Sequence, residues 1–447
     1  MMKKRTMAAI AGILLLAGGA SAAYLASPTI HKGNDGEAPE LGRTGDYSIG
    51  TYSESLPLPD RTEITAWGAI SGSLSPVERS VDIRFWYPSA TGTSGEPAQY
   101  RHDIEYPGED DVPVSTQGIA IEGAAPLADE RFPLVIMSHG YGGWNAHYSN
   151  LAEHLASRGY IVASISHGDA PVNGITSFYL SFGNVLADRS HDQRQVYDAL
   201  MARAENGETR LGNSIDPQKV ALIGYSMGGF GALASAGASY VYDGQSMSNL
   251  PTAQQEKLTA LTAKPLPLKA MIAFAPWGGQ PDNRVWSADS LAKINMPVML
   301  VAGNQDDVVN YQEGVRWLFD NIGGADRHLL TYREARHNIV GNDFDVSDTP
   351  AFRAAEYLKE PVWRQERLNM INQHFVTAFL DLHVKGEAEK AEYLDVPVPD
   401  SNASAWEIGF GEQLNGRFAG PEEKDHWRGF QRRWAVGIDL ERKPAGE

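Results

Sequence analysis

From Phe132 onward, short apolar runs alternate with segments of helical periodicity, and this alternation restricts the fold more than any other feature of the chain. Pro133–Met137, Ile161–Ile165, Lys219–Ile223, Leu268–Phe274, Pro297–Ala302 and His328–Tyr332 are nearly continuous in apolar character, as strands buried on both faces must be. Between and after them lie helix-like stretches. Asn145–Arg158 sets Tyr148, Leu151 and Leu155 on one face and stops at Gly159. Leu186–Ala204, Phe230–Ala238, Tyr311–Ile322 and Arg367–Val384 follow, the last closed by Gly386. Strands alternating with helices predict an α/β domain, a mostly parallel central sheet flanked by helices on both faces.

Before Phe132 the run Val81–Tyr87 alternates apolar and polar residues and ends at Pro88, an N-terminal half-buried strand. Residues 28–60 and 89–130 have loop composition, so 23–60 is expected to be a flexible leader and 61–385 the main domain. Ser239–Leu266 is expected to be a lid-like insertion carrying a short helix capped by Thr252 with Gln255. Asn342–Trp363 is a second excursion. The tail, 386–447, holds Trp406, Trp427 and Trp434 and is expected to pack on the body as a C-terminal extension.

Lys3, Lys4 and Arg5 precede the apolar segment Met7–Ala17 and then Gly18-Gly19-Ala20-Ser21-Ala22. A basic start, a short apolar run and an A-x-A site have the form of a secretory signal peptide cleaved after Ala22. The alternative is an uncleaved N-terminal anchor, since no charge occurs between Thr6 and Ile30. Either way the expected location is periplasmic or extracellular, with no stable membrane span after cleavage. The chain has no Cys, so neither a lipid-bearing cysteine nor a disulfide is available to it. A formal net charge of −18 repels nucleic acid and anionic lipid and argues against both as partners. Oligomeric state leaves no trace in the sequence.

The stretch Val220–Gly231, "VALIGYSMGGFG", crowds glycines around Ser226 directly behind an apolar strand. A G-x-S-x-G turn between strand and helix lifts a serine hydroxyl above the sheet in strained geometry, with glycines giving clearance on either side. A phosphate cradle would need a G-x-x-x-x-G-K-[ST] or a G-x-G-x-x-G after a strand, and neither occurs. A plain structural turn would need no partners downstream. A nucleophilic serine needs a base and an orienting acid, and in this architecture they follow as Asp/Glu and then His at later strand ends. Asp306 and Asp307 follow the Pro297–Ala302 strand, and His337 follows the His328–Tyr332 strand. The oxyanion donors would be the N–H of Met227 and one from Ser138–Gly143, "SHGYGG", assigned to Tyr141. His139 precedes the elbow and is read as a hydrogen-bonding residue of that loop. His147 and His154 lack the further ligands a metal site needs. No metal or organic cofactor is called for by this chemistry.

With these pieces in view, the chain resembles the α/β-hydrolase superfamily, nearest to platelet-activating-factor acetylhydrolase-like esterases and bacterial cutinase-like polyester hydrolases. The resemblance rests on "FWYP", "PLVIMSHGYGGW", "HLASRGYIVASISHGDAP", "VALIGYSMGGFGA", "LKAMIAFAPW", "PVMLVAGNQDDVV" and "ARHNIV", across residues 81–385. It implies Ser226 as nucleophile, His337 as base, and Asp306 as acid through a G-x-x-D-x-V-V/P pattern, with Asp307 the alternative. Trp277 of "FAPW" is similar to an aromatic lining the substrate cleft, or else packs, and Trp144 is a second cleft candidate. The expected activity is an exported serine carboxylic ester hydrolase acting on a small-molecule, lipid or polymer ester. An amidase or peptidase with the same triad, and a non-catalytic binding protein of the same fold, are the alternatives. The absence of Cys, the 239–266 segment and the long tail depart from the polyester hydrolases.

Overall fold

The computed structural model describes residues 36–90, 92–105, 111–127, 130–207, 210–344, 356–403, 427–431 and 434–447. The expected signal peptide, the first part of the leader and Trp406 lie outside the described residues. Among those described, no helix is long and apolar enough to cross a membrane.

Eleven strands make one sheet in the order β11-β10-β9-β8-β7-β5-β6-β2-β1-β4-β3. Its centre is the parallel set β5 (Phe132–Ser138), β6 (Ile161–Ser166), β7 (Ile215–Tyr225), β8 (Ala270–Phe274), β9 (Val298–Gly303) and β10 (Arg327–Tyr332). β5, β8, β9 and β10 are buried along their whole length, which is why their sequences are apolar without alternation. Each fully buried Val, Leu or Ile there stabilises the fold by roughly 1.5–3 kcal/mol before the entropy of ordering is counted.

The flanking helices are α1 (Ala66–Ser71), α2 (Ser149–Ser157), α3 (Ile175–Asn206), α4 (Met227–Ser235), α5 (Thr252–Thr262), α6 (Ala288–Leu291), α7 (Arg316–Asn321) and α8 (Gln365–Leu380). α2 and α8 are tied by the His154 Nε2···Thr377 Oγ1 contact of 2.9 Å, so His154 is a core histidine. His147 stacks between Trp144 and Tyr148 and is equally buried.

Four expectations need correction. Residues 48–60 are not leader but the greater part of β1 (Ser48–Glu63), paired antiparallel with β2 (Ser75–Ser89) along nearly its full length. Ser53, Ser55 and Pro57 face outward while Leu56 and Leu58 turn into the core. Residues 89–130 are not loop throughout, since β3 (Pro97–Ile104) and β4 (Val112–Glu122) extend the sheet's edge. These strands are fixed by the buried Glu153 of α2, which accepts from Tyr100 Oη at 2.6 Å and from the Ile119 and Ala120 N–H groups at 3.0 Å. The helix expected at Leu186–Ala204 begins earlier, at Ile175, so that the aromatic stretch "ITSFYLSF" forms the opening of α3. In the segment 239–266, α5 buries Leu258, while Lys257 bonds Thr62 and Arg194 bonds the Lys264 carbonyl. Among the described residues none of its hydrogen bonds reaches Ser226, Asp306 or His337. Its helix begins after Pro251 without the expected Thr252 cap, and Gln255 instead reaches back to the Leu250 carbonyl at 2.9 Å.

The tail supplies β11 (Ile438–Lys443), antiparallel on β10, and buries Trp427 with its Nε1–H donating to the Val398 carbonyl at 3.0 Å. A charged edge strand such as "IDLERK" has only its inward residues, Ile438 and Leu440, to declare it.

Candidate active site

The carboxyl ends of β5, β7, β8, β9 and β10 share one edge of the sheet, where an open parallel α/β sheet presents its site. The register sets Ser138 beside Gly224, Tyr225 beside Phe274, and Gly303 beside Tyr332. Loops separated by up to two hundred residues of chain are thereby brought together.

Ser226 occupies the turn from β7 into α4 with φ +51° and ψ −112°, a left-handed conformation unusual for a residue with a side chain. Strain of this kind costs of order 1–3 kcal/mol and persists only where the surroundings enforce it. The enforcement is visible: Ser226 N–H donates to the Phe274 carbonyl at 2.9 Å, and its own carbonyl accepts from Phe230 and Trp277 N–H at 3.0 and 3.2 Å. The flanking glycines are clearance, as the motif predicts. A Cβ on Gly224 would stand 2.3 Å from the Gly228 carbonyl oxygen, and one on Gly228 would stand 2.0 Å from that of Ser138.

Ser226 Oγ lies 3.2 Å from His337 Nε2, and His337 Nδ1 lies 2.8 Å from Asp306 Oδ2. Asp306 Oδ1 accepts from the N–H groups of Val308 and Val309 at 2.9 and 3.1 Å, which fixes the carboxylate's plane. With an acceptor at Nδ1, that nitrogen carries the proton and Nε2 is left to accept from the serine hydroxyl. Gly303 allows the histidine loop to cross the end of β9, because a Cβ there would meet the Ala335 carbonyl oxygen at 2.2 Å. Asp307 points away and pairs with Arg336 at 2.7 Å on the surface.

The loop after β5 lies against the elbow. A Cβ on Gly140 would be 3.2 Å from Ser226 Cβ and 3.0 Å from the Tyr225 ring, a tight fit that glycine relieves. Met227 N–H is the first of α4 and has no intrahelical acceptor. Tyr141 N–H has no hydrogen-bond acceptor among the described residues. The Tyr141 ring donates through Oη to Ser181 at 2.9 Å, and Tyr357 Oη donates to the Tyr141 carbonyl at 3.1 Å. His139 is fully buried and bridges its own loop to β6, with Nδ1 2.6 Å from the Gly140 carbonyl and Nε2 accepting from His167 N–H at 2.9 Å. Burial, then the neighbouring His167 and Arg189, holds its imidazole well below the usual histidine range, so it is neutral.

Of the cleft candidates, Trp277 is beside Ser226, edge-on to Phe182 at 5.4 Å between ring centroids, and Phe182 stacks with Phe178 at 5.7 Å. Trp144, the other candidate, stands apart from these rings. It is buried, stacked on His102 and His147 at 4.1 and 4.3 Å, and packs the core under the loop. A Trp after a glycine pair reads as exposed in a sequence, but here His102 of β3 covers it.

Sequence reasoning missed a buried polar group behind the loop. His167 donates through Nδ1 to Asp192 at 2.8 Å and its Nε2 accepts from Ser138 Oγ at 2.7 Å. Gln193 donates to Ser138 Oγ and to the Gly228 carbonyl, both at 2.9 Å. Asp169 accepts from Arg189 and from Gly142 N–H. The available signal was Arg189, Asp192 and Gln193 lying on the helix face that Val185 and Val196 define as buried.

The sequence profile described as "Platelet-activating factor acetylhydrolase, isoform II" matches residues 112–205. Platelet-activating factor acetylhydrolases of Cavia porcellus and Bos taurus are 31% identical over 133 residues and 28% over 137, each alignment taking in 22% of this chain. The alignments cover 30% and 31% of those relatives, so the chain matches less than a third of their length. A ferulic acid esterase from Streptomyces cinnamoneus superposes with TM-score 0.48 at 20% identity, over 76% of this chain and 91% of that one. The strand order and the strand–serine–helix turn are those of an α/β-hydrolase fold, and over residues 112–205 the chain is similar to the platelet-activating factor acetylhydrolases.

Proposed function

We propose that the protein is an exported serine hydrolase of neutral carboxylic esters. Ser226 attacks the ester carbonyl while His337 Nε2 takes its proton, and Asp306 holds the imidazole tautomer and offsets the imidazolium charge. The N–H groups of Met227 and Tyr141 receive the oxyanion, each such donor being worth about 3 kcal/mol. The imidazolium then protonates the departing alkoxide, and water attacks the acyl-serine with His337 again as base. The observation that carries this reading is the Ser226–His337–Asp306 relay at 3.2 and 2.8 Å, built on a serine held at φ +51°.

The substrate's apolar portion has a surface ready for it. Ile175, Phe178, Tyr179 and Phe182 fall at helical spacing on the first turns of α3, the first three exposed, and Phe182 meets Trp277 beside Ser226. An apolar or aromatic acyl or alcohol group would lie along them. The named activity of the matched relatives adds an acetyl ester to the first compounds to assay. The basic start and A-x-A site of residues 1–22 support export with removal of that segment.

The test is turnover of p-nitrophenyl acetate and butyrate by the wild type and by Ser226→Ala, with fluorophosphonate labelling and peptide mapping. Loss of turnover together with an adduct on Ser226 supports the reading. A Ser226→Ala variant as fast as the wild type overturns it.

A further inference from the structure

We propose that Arg189 and Asp169 are positioning residues that turn the Gly140–Tyr141 peptide so that the Tyr141 N–H faces Ser226. This rests on the reading of Ser226 as nucleophile and of Tyr141 as oxyanion donor, and it says what holds that donor in place.

A backbone N–H on a glycine-rich loop has no orientation of its own. Gly142, with φ +68°, and Gly140 leave this loop several accessible conformations. What selects one is a clamp on either side of Tyr141. On the near side, the Gly140 carbonyl accepts from His139 Nδ1 at 2.6 Å and from Arg189 Nη2 at 3.1 Å. On the far side, Gly142 N–H donates to Asp169 Oδ2 at 2.8 Å. The two clamps are one unit, because Arg189 donates through Nη1 and Nη2 to the two oxygens of Asp169 at 2.7 and 2.5 Å. In a trans peptide the C=O and the following N–H point in opposite directions. Pinning the Gly140 oxygen toward Arg189 therefore sends the Tyr141 N–H the other way, on a loop where a Cβ at Gly140 would come within 3.2 Å of Ser226 Cβ.

The unit is built to be rigid. Arg189 is fully buried at the centre of α3, where α4 packs close: a Cβ on Gly231 would stand 2.9 Å from that of Arg189. Burial alone would raise the Asp169 carboxyl, but Arg189 and its hydrogen bonds hold it well below the usual carboxylate range, so the pair stays charged. A bidentate guanidinium fixes direction as well as distance, which a lysine ammonium cannot do. Ser226, His337 and Asp306 make no hydrogen bond to either residue. The pair therefore acts on the reaction only through the loop.

The experiment compares Asp169→Asn, Arg189→Lys and Arg189→Met with the wild type on a p-nitrophenyl ester and on its thionoester, in which sulfur replaces the carbonyl oxygen. Sulfur is a poor hydrogen-bond acceptor, so the oxo-to-thiono ratio of kcat/KM reports the oxyanion donors and not the triad. For the isosteric Asp169→Asn the expected result is a fall in kcat of roughly 10²–10³-fold, with KM within about threefold and a smaller oxo-to-thiono ratio. Arg189→Lys should fall between it and Arg189→Met. An unchanged kcat in Asp169→Asn overturns the proposal, and so does a fall in kcat at an unchanged oxo-to-thiono ratio, which would mean general damage to the fold. Should Arg189→Met not fold, Asp169→Asn and Arg189→Lys decide the matter alone. Ser226→Ala run alongside keeps the two readings apart: if it abolishes turnover while Asp169→Asn is silent, only the positioning role fails.

Discussion

Asp306 faces His337 across 2.8 Å with its second oxygen occupied by two backbone N–H groups, whereas Asp307, one residue on, lies at the surface against Arg336. Adjacent carboxylates thus have opposite surroundings. Replacing Asp306 with Asn puts an amide where the imidazole N–H must be accepted and favours the wrong tautomer. The expected loss in kcat is on the order of 10⁴-fold. Asp307→Asn removes an exposed ion pair worth at most about 1 kcal/mol and should leave kcat/KM within about twofold. Steady-state kinetics of the two variants on one short ester decide it, and equal mild losses would remove Asp306 from the role.

The aromatic row on α3 should set chain-length preference rather than rate on small esters. Phe178 stacks with Phe182, which meets Trp277. Truncating Phe178 to Ala removes apolar contact worth about 1–3 kcal/mol to a ligand lying along it. The expected outcome is a kcat/KM lowered by roughly 10-fold or more for octanoyl or aromatic esters, with acetyl esters within about twofold. A profile across acyl lengths that keeps the wild-type shape would rule the row out as a substrate surface.

The elbow's glycines give a stability prediction independent of any substrate. Gly228→Ala places a methyl group 2.0 Å from the Ser138 carbonyl oxygen and 2.8 Å from that of His139, both backbone atoms at the end of β5. Neither can yield without moving a central strand. Overpacking of this kind should cost about 3 kcal/mol or more. Gly72→Ala, at φ +74° with open space around it, carries only the left-handed penalty of about 1–2 kcal/mol. Denaturant midpoints of the two variants measure the difference, and a Gly228→Ala midpoint above that of Gly72→Ala would contradict the packing argument.

How much of this was legible in the sequence depended on how far each residue's neighbours lay along the chain. The serine, aspartate and histidine announced themselves because each sits just beyond a buried strand whose apolar run is unmistakable. The choice between Asp306 and Asp307 could not come from the same source, since the loop's direction is set by Val308 and Val309 N–H groups. β3 and β4 were hidden because one face of each is exposed and their polar residues match loop composition. Their anchor, Glu153, is remote in sequence. Arg189 and Asp169 were hidden in another way: a buried charge is recognisable only with its partner, and these two pair from different elements around a turn on a third. The burial of Trp144 was hidden because its cover, His102, belongs to a strand that was itself unseen.

Acid should destabilise the fold through its buried histidines. Burial pushes His167, His191 and His328 down to about 4, and His147 and His374 to about 3. In the unfolded chain each titrates near 6.5. Below that value the unfolded state binds protons that the folded state refuses, so stability is complete above about pH 6.5 and falls as pH drops toward the folded values. The slope is up to about 1.4 kcal/mol per pH unit for each histidine in that window. Asp169 and Asp192, both held below the usual carboxylate range, add to the loss only below about pH 4, where unfolded carboxylates take up protons. The melting temperature should therefore be level from pH 8 to 7 and drop steeply from pH 6.5 to 4.5. His191→Gln should make that descent shallower, because the amide can keep the bond to the Ala187 carbonyl and has no proton to gain. A melting temperature that stays level to pH 4.5, or a descent that His191→Gln leaves as steep, would remove the histidines as its cause.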